Sequence, residues 1–273
     1  MENKRRIIEA VYERDAIVDW IKQYFVKNGN ENTKAVIGIS GGKDSTIAAA
    51  LLVRAIGANR VVGVLMPQDN QKDIDDSYKV CDILGIQKYV INIGPVCDEL
   101  FKDFMANTGL FPNSQIATNA PARIRMNILY MVAAAVGGRV CNTGNASELY
   151  VGYTTKYGDL AGDFSLFREY YVRDVLAIGA TMDELPRELV VKAPGDGMCG
   201  KTDEDNLGFT YETLDDYCLD NTIPCYDVLR NIQQRYKTNK HKEVINLPHP
   251  VPISRHFEGE KWDSCKGSFV LRW

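Results

Sequence analysis

"AVIGISGGKDSTIAAALLV", Ala35 to Val53, decides the architecture. Its β-branched apolar run stops at Ser40-Gly41-Gly42, passes through Lys43, Asp44 and Ser45, and resumes as an apolar pattern at helical spacing. A short, non-alternating apolar segment closed by turn residues has the pattern of a strand buried on both faces. "KAVIGIS" (34–40) is therefore expected as a strand and "STIAAALLVRAIG" (45–57) as the helix behind it, stopped by Gly57.

The same alternation continues outward. "RVVGVLMP" (60–67), "KYVINI" (88–93) and "RVCNTGN" (139–145) are expected as three further strands. Helices are expected over 73–84, near 95–106 and over 117–136, the last with Arg123, Arg125 and Asn127 interrupting its apolar pattern. A leading helix is expected over 4–27, ended by Asn28-Gly29-Asn30. Strands alternating with helices predict an α/β fold, a doubly wound, Rossmann-like parallel sheet flanked by helices. Past residue 150 the periodicity loosens. Residues 153–163 and 192–205 are glycine-rich and read as loops over a site, 203–217 and 224–236 as helices, and 246–273 as an irregular tail. One domain over 1–273 is the expectation.

Of 273 residues, 45% are hydrophobic and 25% charged, with a net charge of −4. No basic excess exists to displace phosphate counterions, so bulk nucleic-acid binding is excluded, whereas a local anion pocket needs only a few cations. The seven cysteines form no C-x-x-C pair and read as reduced thiols. An amphipathic start, and the lack of an apolar stretch near the ~20 residues that span a bilayer, predict a cytoplasmic protein without membrane attachment.

Ser40-Gly41-Gly42 has a bland reading as a tight strand-to-helix turn. Its neighbours favour a ligand: successive backbone N–H groups beside a helix N-terminus form a cup suited to phosphate. Ser40 and Ser45 add hydroxyls and Lys43 a charge. The pattern G-x-x-x-x-G-K-[ST] does not fit, because Gly38 stands too close to Gly42-Lys43 and Asp44 takes the Ser/Thr position. A carboxylate beside a phosphate cup repels the ligand unless a cation lies between them, which makes Asp44 a candidate Mg²⁺ ligand. Glu148 follows the fourth strand and emerges at the same carboxyl edge as Asp44, where open sheets bind ligands. The plain alternative is a helix cap or a solvent-facing side chain. Arg123 and Arg125 have a plain reading as snorkelling surface residues, and Asp73, Asp75 and Asp76 as a charged helix start.

S-G-G-x-D-S after a buried strand resembles the pyrophosphate loop of the ATP pyrophosphatase superfamily, whose members adenylate a substrate and release pyrophosphate. "MPQDNQKDIDDS" (66–77), "RIRMN" (123–127), "NTGNASE" (142–148), "GYTTKYGDLAGDF" (152–164), "KTDEDNLGFTYETLDDY" (201–217) and "TNKHK" (238–242) are similar, in order and spacing, to segments of the ammonia-dependent NAD synthetase family. The likeness covers residues 34–245. It implies that Gly38, Ile39, Ser40, Gly41, Gly42, Lys43, Asp44, Ser45 and Thr143 contact ATP, and that Asp44 and Glu148 form the catalytic Mg²⁺ pair. It assigns Arg123, Lys156, Asp163, His241 and Lys242 to nicotinic acid adenine dinucleotide. The implied reaction is a two-step amidation: the nicotinate carboxylate is adenylated with loss of pyrophosphate, and ammonia then displaces AMP. Free ammonia is the expected donor, since 273 residues leave no room for an amidohydrolase domain, unless a separate glutaminase partner feeds the site, and a homodimer is implied.

Three positions depart from the family pattern: Val172 where a phosphate-contacting lysine is common, Pro194-Gly195 where a hydroxyl follows proline, and Lys43 in place of glutamine. Lys43 and Arg173 are the two candidates for the replacement cation. Two rivals follow. A tRNA-thiolation enzyme of the same superfamily would be expected to carry paired cysteines and a basic surface. A nucleotide-binding regulator with a decayed ATP site has Val172 and Gly195 in its favour, and Asp44 and Glu148 against it.

Overall fold

A computed structural model describes residues 10–69, 74–191, 202–242 and 246–253. Helix α1 (Ala10–Asn28) leads into strand β1 (Lys34–Gly38), helix α2 (Lys43–Ile56) and strand β2 (Val61–Leu65), followed by helix α3 (Ile74–Leu84) and strand β3 (Gln87–Val90). Helices α4 (Gly94–Thr108) and α5 (Ser114–Val136) precede strand β4 (Gly138–Asn142), helix α6 (Ala146–Val151) and strand β5 (Phe164–Ser165). Helices α7 (Val172–Gly179), α8 (Arg187–Val190), α9 (Asp203–Leu207), α10 (Tyr211–Asp220) and α11 (Tyr226–Asn239) follow.

The strands lie in the order β3-β2-β1-β4-β5, and every pairing is parallel, as the alternating pattern predicts. Successive strand residues point to opposite faces. Ala35 and Ile37 accordingly join the core shared with α1, α2 and α7, while Val36 packs with Val62, Val64 and Ala133 on the other face. Helix α2 has no polar stripe through its middle: Ile47 to Leu52 are all fully buried. Burial of each large member, Ile47, Leu51 and Leu52, contributes roughly 1.5–3 kcal/mol, which anchors the helix whose first turn carries Asp44.

The chain runs from β1 outward to β2 and β3, then returns to pair β4 on the opposite side of β1. Connections after β1 and β4 therefore diverge, opening a crevice at their carboxyl ends. The boundaries differ from expectation at instructive places. Helix α2 starts at Lys43, so Asp44 and Ser45 belong to its first turn. Strand β4 ends at Asn142, and residues 143–145 form the turn and cap before α6. The run 203–217 is broken at Gly208 (φ 79°) into α9 and α10. Strand β5 and helices α6, α7 and α8 lie in the stretch where periodicity was too weak to read. Residues 246–253 are irregular as expected, and the Pro248 carbonyl accepts from Ser165 N at 3.0 Å. The start of the leading helix (4–9), Asp73, the 192–201 part of the glycine-rich loop with Pro194 and Gly195, and the rest of the tail lie outside the described residues.

Candidate active site at the β1–β4 crevice

The turn after β1 is shaped from within. Gly41 adopts φ 77°, and a Cβ there would stand 3.1 Å from Ser77 N, so glycine is required both for the backbone and for the approach of α3. Ser45 Oγ donates to the Gly42 carbonyl (3.1 Å) and lies 3.0 Å from Ser40 Oγ, and Gly42 N donates to Ser40 Oγ (3.2 Å). The two hydroxyls expected as phosphate donors thus hold the turn itself. Ser45 is buried, whereas Ser40 is exposed. No side chain caps α2 at Gly42, which leaves the cap position to an anion. Gly38 and Ile39 lie at the end of β1, where Ile39 N donates to the Val64 carbonyl (3.0 Å).

Asp44 and Glu148 come together through a residue not singled out from the sequence. Asn145 caps α6: its Oδ1 accepts from Glu148 N (3.0 Å) and its backbone N donates to Glu148 Oε2 (3.1 Å). Its Nδ2 donates to Asp44 Oδ1 at 3.3 Å, across 101 residues of chain. Asn145 is fully buried, so one residue fixes both carboxylates, Asp44 through its side chain and Glu148 through its backbone N. The Asn-x-x-Glu spacing of a capping box was the available signal. Burial and then the Asp44 charge push the Glu148 carboxyl up to about 8. The carboxylate oxygens of this pair are donors that suit Mg²⁺, which accepts a few carboxylate oxygens with phosphate and water. Among the described residues no group of three or more His, Cys, Asp or Glu forms a metal cluster, so phosphate oxygens would have to complete such a shell. Thr143 lies in the turn between β4 and α6.

Of the two candidate cations, Lys43 is the one at this pair. Its Nζ donates to Asp44 Oδ2 at 2.8 Å, and its side chain is 2% exposed. Burial alone would lower its pKa, but Asp44, Glu148 and Asp203 outweigh that and raise it. Arg173 instead pairs with Asp220 (2.6 Å) and Asp216 (3.4 Å) on α10. Val172 is a core side chain whose amide donates to Ser147 Oγ (3.0 Å). Ser147 donates to the buried Asp215 (2.6 Å), which also accepts from Arg173 N (2.9 Å). That chain of contacts ties α6, and hence Glu148, to α7 and α10.

A second cluster gathers segments that are far apart in sequence. Arg123 Nε on α5 donates to the Lys156 carbonyl (3.3 Å), and Thr155 Oγ1 donates to Asn119 Oδ1 (2.8 Å). Lys242 Nζ, just past α11, donates to the carbonyls of Gly152 (2.6 Å) and Thr154 (2.7 Å). "RIRMN", the glycine-rich segment and "TNKHK" are thereby brought to one place. Lys156 Nζ stands 5.1 Å from the Tyr157 ring centroid, and His241 Nδ1 lies 3.0 Å from the Thr238 carbonyl. Asp163 spends Oδ2 on Val140 N (2.7 Å), extending the edge of β4. Arg125, read as a snorkelling residue, donates instead to the Met66 carbonyl (3.1 Å) at the end of β2. Asn142 Nδ2 joins the two clusters by donating to the Asp159 carbonyl at 2.6 Å.

An all-parallel sheet with a glycine turn and paired carboxylates where its strand order reverses belongs to the open α/β class that binds ligands at a topological switch point. A family model described as NAD synthase matches residues 13–247. The chain belongs to the NAD synthase family. It is 39% identical over 211 residues to an NH₃-dependent NAD⁺ synthetase of Methanococcoides burtonii, covering 76% of this chain and 78% of the relative. Among solved structures, NMN synthetase from Francisella tularensis superposes with a TM-score of 0.78 at 33% identity, covering 88% of this chain and 98% of that one. The NH₃-dependent NAD synthetase of Campylobacter jejuni gives a TM-score of 0.69 at 26% identity over 88% of this chain and 98% of that one.

Proposed function

We propose that this protein is an ammonia-dependent NAD⁺ synthetase, a C–N bond-forming ligase that amidates nicotinic acid adenine dinucleotide at the expense of ATP. The observation that carries this reading is the Asp44–Asn145–Glu148 junction between α2 and α6, beside the uncapped Gly42 turn. The backbone cup at Ser40 to Ser45 would receive the β- and γ-phosphates, and Asp44 and Glu148 would hold Mg²⁺, which would neutralise phosphate charge and polarise the α-phosphate. Arg123, Lys156 and Lys242 surround the glycine-rich segment and neutralise the acid substrate's diphosphate and carboxylate. Bringing a carboxylate to a polyanion is limited by repulsion and orientation, so charge compensation and positioning supply the catalysis and no covalent nucleophile is needed. Among the described residues no helix is long and apolar enough to cross a membrane, and the free thiols Cys81, Cys97 and Cys141 fit a reducing cytoplasm.

With Mg²⁺, ATP, ammonium and the dinucleotide acid, the purified protein should form NAD⁺, AMP and pyrophosphate in equal amounts. Release of ADP, or ATP binding without turnover, would overturn the reading. Similarity to the Francisella NMN synthetase motivates a second arm with nicotinic acid mononucleotide. A higher kcat/KM there would reassign the acceptor and leave the adenylation chemistry intact.

A homodimer is part of the same reading. Val96 and Leu100 on α4, Leu110 and Phe111 in the following turn, and Met131 on α5 are exposed apolar side chains, Phe111 to 83%. Exposed apolar side chains on these two neighbouring helices support an interface there. Met131→Glu should shift the sedimenting species from twice the chain mass to once, and a wild-type protein that sediments as a monomer would remove the dimer.

A further inference from the structure

We infer that Lys43 is a built-in counter-cation for the Asp44–Glu148 pair, one that competes with the divalent metal for the site. The inference rests on the proposed reading that these carboxylates hold Mg²⁺, and it adds a residue that weakens metal binding in the absence of nucleotide.

Lys43 sits in the first turn of α2, a position from which a long side chain ordinarily reaches solvent. Here it turns inward, with 2% exposure and its Nζ 2.8 Å from Asp44 Oδ2. The other Asp44 oxygen accepts from Asn145 Nδ2. Both oxygens of the carboxylate are therefore engaged, and a metal reaching Oδ2 meets the ammonium there. From α6, Glu148 adds negative charge, and from α9, Asp203 does the same. From α10, the Tyr211 ring lies under the ammonium with its centroid 5.8 Å from Nζ. The Tyr211 side chain is buried, and its hydroxyl has no hydrogen-bond partner. The ammonium thus occupies a pocket of anions and an aromatic face, the surroundings a metal cation also favours.

Two consequences have opposite signs. Without metal, Lys43 offsets repulsion between two carboxylates and stabilises the fold. When metal arrives, the same charge repels it. Uptake before nucleotide binds is therefore weak, and phosphate oxygens favour loading both by supplying ligands and by giving the ammonium an anionic partner.

Mn²⁺ binding without nucleotide, followed by the electron paramagnetic resonance of the free ion, tests this in wild type, Lys43→Gln, Lys43→Met, Lys43→Arg and Asp44→Asn. Lys43→Gln and Lys43→Met should bind Mn²⁺ about tenfold more tightly, equivalent to about 1.4 kcal/mol, while Lys43→Arg stays near wild type. Melting of the metal-free protein should fall in the two neutral variants and recover on adding Mn²⁺. A lysine with a merely structural role would, when replaced, leave affinity unchanged or weaken it, and that result in both neutral variants overturns the inference. Two uncharged replacements of different shape guard against one failing to fold. Wild-type Mn²⁺ affinity in Asp44→Asn would instead remove the metal pair itself, and the inference with it.

Discussion

Replacing Asp44 with asparagine should lower pyrophosphate release by roughly 10³-fold and leave the chain folded. The exchange keeps the side chain's size and leaves an Oδ1 to accept from Asn145 Nδ2, so the contact between α2 and α6 persists, while the new Nδ2 faces the Lys43 ammonium donor to donor and turns it toward Glu148. What disappears is one of two anionic oxygen sets facing the proposed metal and phosphates. A buried lysine that loses its partner normally destabilises strongly. Here Glu148 compensates. Its carboxyl is pushed up to about 8 by burial and by the Asp44 charge. Removing the Asp44 charge takes away the second of these causes and leaves burial in place, so Glu148 shifts toward the charged form beside Lys43. Melting should therefore move by only a few degrees, at about 2–4 °C per kcal/mol for a chain of this size. Quenched-flow detection of pyrophosphate beside a circular-dichroism melt separates the two effects. Turnover within tenfold of wild type would show that Asp44 does not serve the reacting phosphates.

The second large effect lies on the far side of α6. Gly152 closes that helix in the left-handed conformation (φ 63°), with its amide donating to the Glu148 and Leu149 carbonyls. A Cβ there would stand 2.1 Å from Asn239 Cβ, an overlap that no rotamer change relieves. Asn239 is itself tied down, since its Nδ2 donates to the carbonyls of Val151 (3.3 Å) and Arg235 (2.9 Å). Gly152→Ala must therefore push α11 off α6 and draw Lys242 away from the Gly152 and Thr154 carbonyls. Backbone strain of about 1 kcal/mol adds to an overpacking cost of about 1–3 kcal/mol. The expected loss is about 10 °C in melting temperature, accompanied by a raised KM for the acid substrate. Gly137→Ala is the control, since that glycine has a similar φ (66°) but nothing within 4 Å of the added Cβ. It should lose about 3 °C. Equal losses in the two variants would mean that the contact with Asn239 carries no weight.

How much of this was legible depended on range. β1, the glycine turn and α2 could be read because their periodicity is local and uninterrupted. From them came the parallel sheet and the placement of Asp44 and Glu148 at one edge. β5 escaped because two residues carry no period, and α6 because six residues barely exceed one turn. The capping-box spacing of Asn145 within "NTGNASE" is visible in the sequence. Its reach to Asp44 is a tertiary contact and is not. The inward turn of Lys43 was hidden for the same reason, because the anions that hold it come from α6 and α9 as well as from its neighbour. Gly208 is a helix stop that the periodic run on either side of it masks.

The adjacency of β1 and β4 also bears on how the protein is made. A nascent chain that has emerged only as far as β3 already possesses the glycine turn and Asp44, but neither Asn145 nor Glu148. β4 must find the open edge of β1 after α3, α4 and α5 have been threaded between them, a distant pairing that is closed late and at high entropic cost. Until then Lys43 and Asp44 have only each other, and the half-built crevice carries little net charge. A ribosome-bound intermediate would thus pass through translation without the Asp44–Asn145–Glu148 junction, which forms only when β4 has joined the sheet and α6 follows it.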